Sequence, residues 1–227
     1  MTEALLWGLI ASGSLLVGQA LAAPLGRSRR IVGLMMAFGA GTLISAVGYE
    51  LIPEANLHLG WEVGAAFLVG ALAYYVGARL VDRGGNSGTA LFLGALLDGI
   101  PESFILGLGL ALGGSISLAF LAAVLLSNIP EGLAGTADMR ESGVGERRIT
   151  LMWSSLTIVC GFASLAGYLV ADTGSHTGEI ASAFAGGAVL TMLADSMVPE
   201  SYERAGRVAG LFTVLGFLVA GILSAAQ

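Results

Sequence analysis

Residues 89–112 read TALFLGALLDGIPESFILGLGLAL, an apolar run whose only charged side chains are Asp98 and Glu102. At about 1.5 Å of rise per residue, a helix of this length crosses a hydrocarbon core of roughly 30 Å. Both acids fall about mid-span, where each costs roughly 2.5–3.5 kcal/mol on insertion scales, so they are expected to face a polar interior and to have a function there. Seven more runs of comparable length flank this one. The spans are placed at 4–23, 31–52, 62–80, 89–112, 115–137, 150–171, 180–199 and 208–225. Of the 227 residues 56% are apolar and only 11% charged, too little charge to solvate a soluble domain of this size. The expected fold is an all-α membrane protein of eight transmembrane helices, with residues 1–227 forming a single transmembrane domain. The first run has no basic segment ahead of it and is followed by seven others, so it reads as a membrane helix and not as a cleaved signal peptide. The lone Cys160 forms no intramolecular disulfide, and a net charge of −6 argues against a nucleic-acid partner.

Charge placement orients the spans. The chain contains no Lys, and its ten Arg stand at 27, 29, 30, 79, 83, 140, 147, 148, 204 and 207, in the connections after the first, third, fifth and seventh spans. The positive-inside rule then places both termini on the outer face. The opposite connections carry Glu54, Glu62, Asp172 and Glu179 with both histidines, His58 and His176, a mixture that suits cation attraction or ordinary solvated loops.

Four of the five prolines share one pattern: Leu51-Ile52-Pro53-Glu54, Gly99-Ile100-Pro101-Glu102, Asn128-Ile129-Pro130-Glu131 and Met197-Val198-Pro199-Glu200. With Glu at 11 of 227 positions, composition alone does not produce that repetition. In each copy an oxygen-bearing side chain precedes the Glu by four positions, giving Glu50/Glu54, Asp98/Glu102, Ser127/Glu131 and Ser196/Glu200. Residues i and i+4 project from one face of a helix, so each copy presents a pair of oxygen ligands. Proline removes a backbone donor and displaces the carbonyl four residues earlier, which releases the carbonyls of Tyr49, Leu97, Leu126 and Asp195. Freed carbonyls beside carboxylates are a common way for membrane proteins to coordinate cations, although proline kinks that serve packing alone have the same sequence signature.

The second span runs outward and the seventh inward, so their C-terminal motifs lie near opposite faces. The fourth and fifth carry theirs near mid-depth. A pseudo-twofold axis in the membrane plane that exchanges two with seven and four with five gives a midplane site with an outer and an inner flank. Clustered carboxylates favour cations of more than one charge.

These residues resemble the ZIP (Zrt/Irt-like) family of metal permeases, whose fourth helix carries His-Asn-x-Pro-Glu-Gly and whose fifth carries His-x-x-Pro. The resemblance covers essentially the whole chain. It implies a 3+2+3 inverted-repeat bundle, a metal site shared between helices four and five, and uptake toward the cytoplasm across the cell membrane. Carried over by position, the site is Asp98, Glu102, Ser127, Asn128 and Glu131, with Glu50, Glu54, Asp195, Ser196 and Glu200 lining the way in and out. Asp98 and Ser127 stand where the family has His, Gly99 where it has Asn, and Ser103 where it has Gly. An all-oxygen site without thiolate or imidazole is harder than a zinc site and leans toward Mn²⁺, Fe²⁺ or Mg²⁺. The transported substrate is therefore expected to be a divalent metal, Zn²⁺ by resemblance or Mn²⁺ or Fe²⁺ by ligand type, with no cofactor. Expected partners are divalent metal ions and membrane lipid, with a second copy of the chain as a candidate and no nucleic acid. No enzyme is expected, since no His pair or Ser/His arrangement accompanies the carboxylates. A proton relay using the same carboxylates is the alternative, and an intramembrane metal-dependent hydrolase a more remote one.

The Arg pattern makes a prediction that labelling tests. In a Cys160→Ala background, Glu54→Cys reacts with a membrane-impermeant thiol reagent from outside and Glu200→Cys from inside. Labelling of both from one face overturns the assigned topology.

Overall fold

Eight helices long and apolar enough to cross a membrane run through the computed structural model. It describes residues 1–26, 28–51, 60–82, 88–113, 116–171 and 175–226, the side chains of 50, 51, 82 and 175 apart. In chain order they are α1 (Thr2–Leu25), α2 (Arg29–Ala46, continued by a π turn Val47–Leu51), α3 (Trp61–Asp82), α4 (Gly88–Gly113), α5 (Leu118–Glu141), α6 (Glu146–Ala171), α7 and α8 (Val208–Ala225). α7 consists of α7a (Ser175–Met192), a π turn (Leu193–Met197) and α7b (Val198–Ala205). The helix starts are set by local chemistry. Ser28 Oγ accepts the Ile31 amide at 3.4 Å and Ser117 Oγ the Phe120 amide at 3.1 Å, capping α2 and α5. Gly143 and Gly206, at φ 79° and 69°, reverse the chain after α5 and α7b in a backbone region that L side chains avoid.

The seventh helix departs from the expected 180–199. It begins earlier and passes through Pro199 to Ala205. Pro199 sits in the first turn of α7b, where a missing amide is tolerated, and the turn ahead of it widens to absorb the defect. The π turn in α2 stands at the same offset, covering the sixth to the second residue before Pro53, as the one in α7 does before Pro199. Tyr49 and Asp195 thus lie in widened turns. Leu97 and Leu126 do not: α4 and α5 run as α-helix straight through Pro101 and Pro130. The repeated motif interrupts two helices and leaves the two central ones continuous.

Many outward-facing side chains are large and apolar. Leu211, Val214, Leu218 and Ile222 on α8 are each at least half exposed along one face, an arrangement that suits lipid and not water. The hydrophobic effect does not hold helices together in lipid, so close packing of small residues has to. It does so at four reciprocal glycine contacts. A Cβ on Gly132 of α5 would overlap the Leu15 carbonyl of α1, and one on Gly18 of α1 the Ile129 carbonyl of α5. Gly107 of α4 meets the Ser164 carbonyl of α6, and Gly167 of α6 the Phe104 carbonyl of α4. Gly41 and Gly216 pair α2 with α8 in the same way, as Gly70 and Gly187 pair α3 with α7. α1 packs on α5 as α6 packs on α4, and α2 packs on α8 as α7 packs on α3. This is the pairing of a 3+2+3 inverted repeat that exchanges α1–α3 with α6–α8 and α4 with α5.

Replacement of these glycines separates contact from helix propensity. Gly107→Ala and Gly132→Ala are each expected to cost roughly 1–3 kcal/mol through overpacking, lowering the thermal midpoint of the purified protein in detergent. Gly109→Ala, on α4 with nothing within 4 Å of the added methyl, leaves the midpoint unchanged or raises it.

Candidate functional site

The ends of the helices that carry Arg lie together: Gly33, early in α2, abuts Arg204 of α7b, and Gly88, opening α4, abuts Val144 between α5 and α6. A cavity of about 300 Å³ reaches from this end into the middle of the bundle. Near the Arg-bearing end it is lined by Val81, Ala90, Asp138 and Glu200, and at mid-helix by Asp98 and Glu131. Helical periodicity builds its walls. α4 contributes Leu91, Gly94 and Asp98, and α5 contributes Glu131, Gly135 and Asp138, successive turns of one face in each helix. Gly94 and Gly135 leave the space that larger side chains would fill. Ser196, in the α7 π turn, also lines the cavity, as does Trp153 of α6, whose indole Nε1 donates to Thr136 Oγ1 at 2.9 Å.

Asp98 is held at the cavity floor by Tyr74 of α3, whose phenol donates to Asp98 Oδ1 at 2.6 Å. Glu102, one turn further along α4, is 1% exposed, and its Oε2 has no hydrogen-bond partner. A carboxyl oxygen shielded from water and left unpaired costs free energy, so its presence calls for a function or a ligand. The Glu131 carboxyl lies within electrostatic range of those of Asp98, Glu102 and Glu200. The mouth carries an ion-pair clamp: Arg204 Nη2 donates to Asp138 Oδ2 at 2.7 Å, and Arg204 Nε to Glu200 Oε1 at 2.9 Å.

Of the residues expected from sequence, the structure brings Asp98, Glu131, Ser196 and Glu200 to one cavity, with Glu102 just beyond it. Ser127 and Asn128 are buried but do not line the cavity. Ser127 Oγ donates to the Val124 carbonyl at 3.0 Å. Asn128 Nδ2 donates to the Ala11 carbonyl of α1 at 3.2 Å, leaving its Oδ1 buried without a partner. Asp195 is exposed, although within electrostatic range of Asp98. Glu50 lies in the α2 π turn with its side chain outside the described residues, and Glu54 lies outside them altogether. Among the described residues, no three His, Cys, Asp or Glu side chains stand close enough together to enclose a metal ion. Asp98, Glu131, Asp138 and Glu200 are instead spread along the cavity wall.

Among the described residues, Tyr74, Asp138 and Arg204 lie outside the expected set, and, against the expectation of a site with no thiol nearby, the buried Cys160 of α6 stands within electrostatic range of Glu102 and Glu131. Asp138 is signalled by its spacing, seven residues after Glu131 and so on the same face of α5. Tyr74 has no such signal, because only packing brings α3 against α4. On the opposite end, His176 Nε2 stands 3.3 Å from Glu62 Oε2 at the starts of α7 and α3.

In an alignment 189 positions long that covers 76% of this chain and 30% of the relative, the chain is 25% identical to an Arabidopsis thaliana protein named "Putative zinc transporter At3g08650". The match thus spans less than a third of the relative's length. No family model matches the chain.

The clamp generates a stability prediction. Arg204→Gln leaves Asp138 and Glu200 without their cation and is expected to cost roughly 1–3 kcal/mol, seen as a lower thermal midpoint. Combining it with Asp138→Asn and Glu200→Gln recovers part of the loss, because no uncompensated charge remains.

Proposed function

We propose that this chain is a ZIP-like carrier that moves divalent metal ions across the cell membrane into the cytoplasm. The observation that carries this reading is the cavity that ends at Asp98 and Glu131 in mid-bundle, with the unpartnered Glu102 carboxyl next along α4. Acids at that depth repel anions, whereas a divalent cation offsets their charge and desolvation together. Asp98, Glu102 and Glu131 supply the charge, and Ser127 and Asn128 add neutral oxygens from α5 once the helices close around the ion. Glu200 and Ser196 line the inner flank, and Glu50, Glu54 and Asp195 serve the remaining path. The zinc transporter name of the Arabidopsis relative supports zinc as one substrate. Among the described residues no His or Cys lines the cavity, which favours Mn²⁺ and Fe²⁺ beside it. In this reading both termini face outward, the Arg-bearing end faces the cytoplasm, membrane lipid surrounds the bundle, and a second copy of the chain is a candidate partner.

Uptake by proteoliposomes containing the purified chain tests the reading with Zn²⁺, Mn²⁺ and Fe²⁺. Glu102→Gln and Glu131→Gln keep side-chain shape while removing one charge each, and both are expected to abolish uptake at matched membrane abundance. Asp98→His with Ser127→His shifts preference toward Zn²⁺. Normal uptake by either Gln variant overturns the site, and proton flux without metal dependence favours a carboxylate relay instead.

A further inference from the structure

We propose that Tyr74 is a positioning residue that makes the site discriminate against Ca²⁺, by keeping one oxygen of Asp98 engaged so that the carboxylate offers a cation only the other. The inference rests on the metal-carrier reading above. An all-oxygen site in a transporter of transition metals has a particular problem. Among the described residues no imidazole or thiol lines the cavity, and the nearby Cys160 thiol is buried against Ser12 and Ser103, so ligand softness does not exclude Ca²⁺, which accepts oxygen ligands of every kind. Coordination number remains as a criterion. Ca²⁺ takes about six to eight oxygens and readily uses both oxygens of one carboxylate, whereas Zn²⁺ is satisfied by about four ligands.

Tyr74 acts on that criterion. Its side chain is 5% exposed and belongs to the main apolar core, so packing fixes the ring. Its phenol donates to Asp98 Oδ1 at 2.6 Å, the short distance of a charge-assisted bond. That bond draws electron density from Oδ1 and restrains the plane of the carboxylate, on a residue that lines the cavity. The neighbouring Tyr75 is exposed and points elsewhere, its ring lying under the Arg79 guanidinium, 4.8 Å from the centroid. Of the two adjacent tyrosines, only Tyr74 is aimed at the site.

The experiment is Zn²⁺ uptake by proteoliposomes with Ca²⁺ as competitor, comparing the unaltered chain with Tyr74→Phe and Tyr74→Met. Both variants remove the donor, so the test does not depend on one of them inserting. The Ca²⁺ concentration that halves Zn²⁺ uptake is expected to fall roughly tenfold, as the loss of one charge-assisted hydrogen bond predicts, while half-saturation by Zn²⁺ moves much less. A purely structural role for Tyr74 lowers the amount of active carrier and leaves this ratio where it was. Unchanged Ca²⁺ inhibition in a donor-free variant that still carries Zn²⁺ overturns the role of Tyr74 and leaves the carrier reading standing. No divalent uptake by the unaltered chain overturns both.

Discussion

Backbone contact at four reciprocal glycine pairs is the constraint on which the rest of this bundle depends. In lipid, separating two helices exposes no apolar surface to water, so cohesion comes from dispersion and close approach. Gly18 with Gly132 and Gly107 with Gly167 draw α1 onto α5 and α6 onto α4, which fixes the two central helices from opposite sides. Gly41 with Gly216 and Gly70 with Gly187 build the α2–α8 and α3–α7 pairs around them. The α3–α7 pair has a direct consequence for chemistry. It brings Tyr74 to Asp98 from one helix and Ser196 and Glu200 to the cavity from the other. A methyl group at any of these glycines would overlap a backbone carbonyl of the facing helix.

Acidic side chains inside such a bundle are costly unless something compensates them, and the compensation is uneven along the cavity. At the mouth, Arg204 neutralises Asp138 and Glu200 through direct hydrogen bonds. At the floor, Asp98 has one neutral donor, and Glu102 keeps an oxygen without any. Charge is therefore satisfied internally where the cavity nears the surface and left open at mid-depth. In the proposed carrier, that gradient gives a cation a site that gains from its arrival in the middle, beside a flank where a tethered guanidinium already occupies the carboxylates. The two π turns sit on the flanking helices α2 and α7 and not on α4 or α5. Backbone irregularity is thus confined to the flanking helices, and Asp98, Glu102, Ser127 and Glu131 stay on regular helix.

Much of this was determined by sequence alone. Eight apolar runs interrupted by short connections leave no alternative to membrane helices, because lipid demands that each span satisfy its own backbone hydrogen bonds. The repeated proline and glutamate, together with their i and i+4 partners, picked out Asp98, Glu102, Glu131, Ser196 and Glu200, since helical periodicity is a local property that spacing records. It also related α2 to α7, whose widened turns stand at the same offset from proline.

Tertiary structure decided what spacing does not encode. A proline is equally a kink or a continuous helix, and only packing made Pro199 a widened turn and left Pro101 and Pro130 within regular α-helix. Asn128 shares the motif with Glu131, yet its amide is turned to the Ala11 carbonyl of α1, because a side chain donates to whichever acceptor the neighbouring helix presents. Tyr74 and Arg204 lie 24 and 66 residues from their partners Asp98 and Asp138, and no periodicity links positions on different helices. Glycine was abundant throughout the sequence, but which glycine meets which carbonyl follows from the rotation of each helix about its axis. That rotation is set by all the contacts of the bundle at once, so no single span could reveal it.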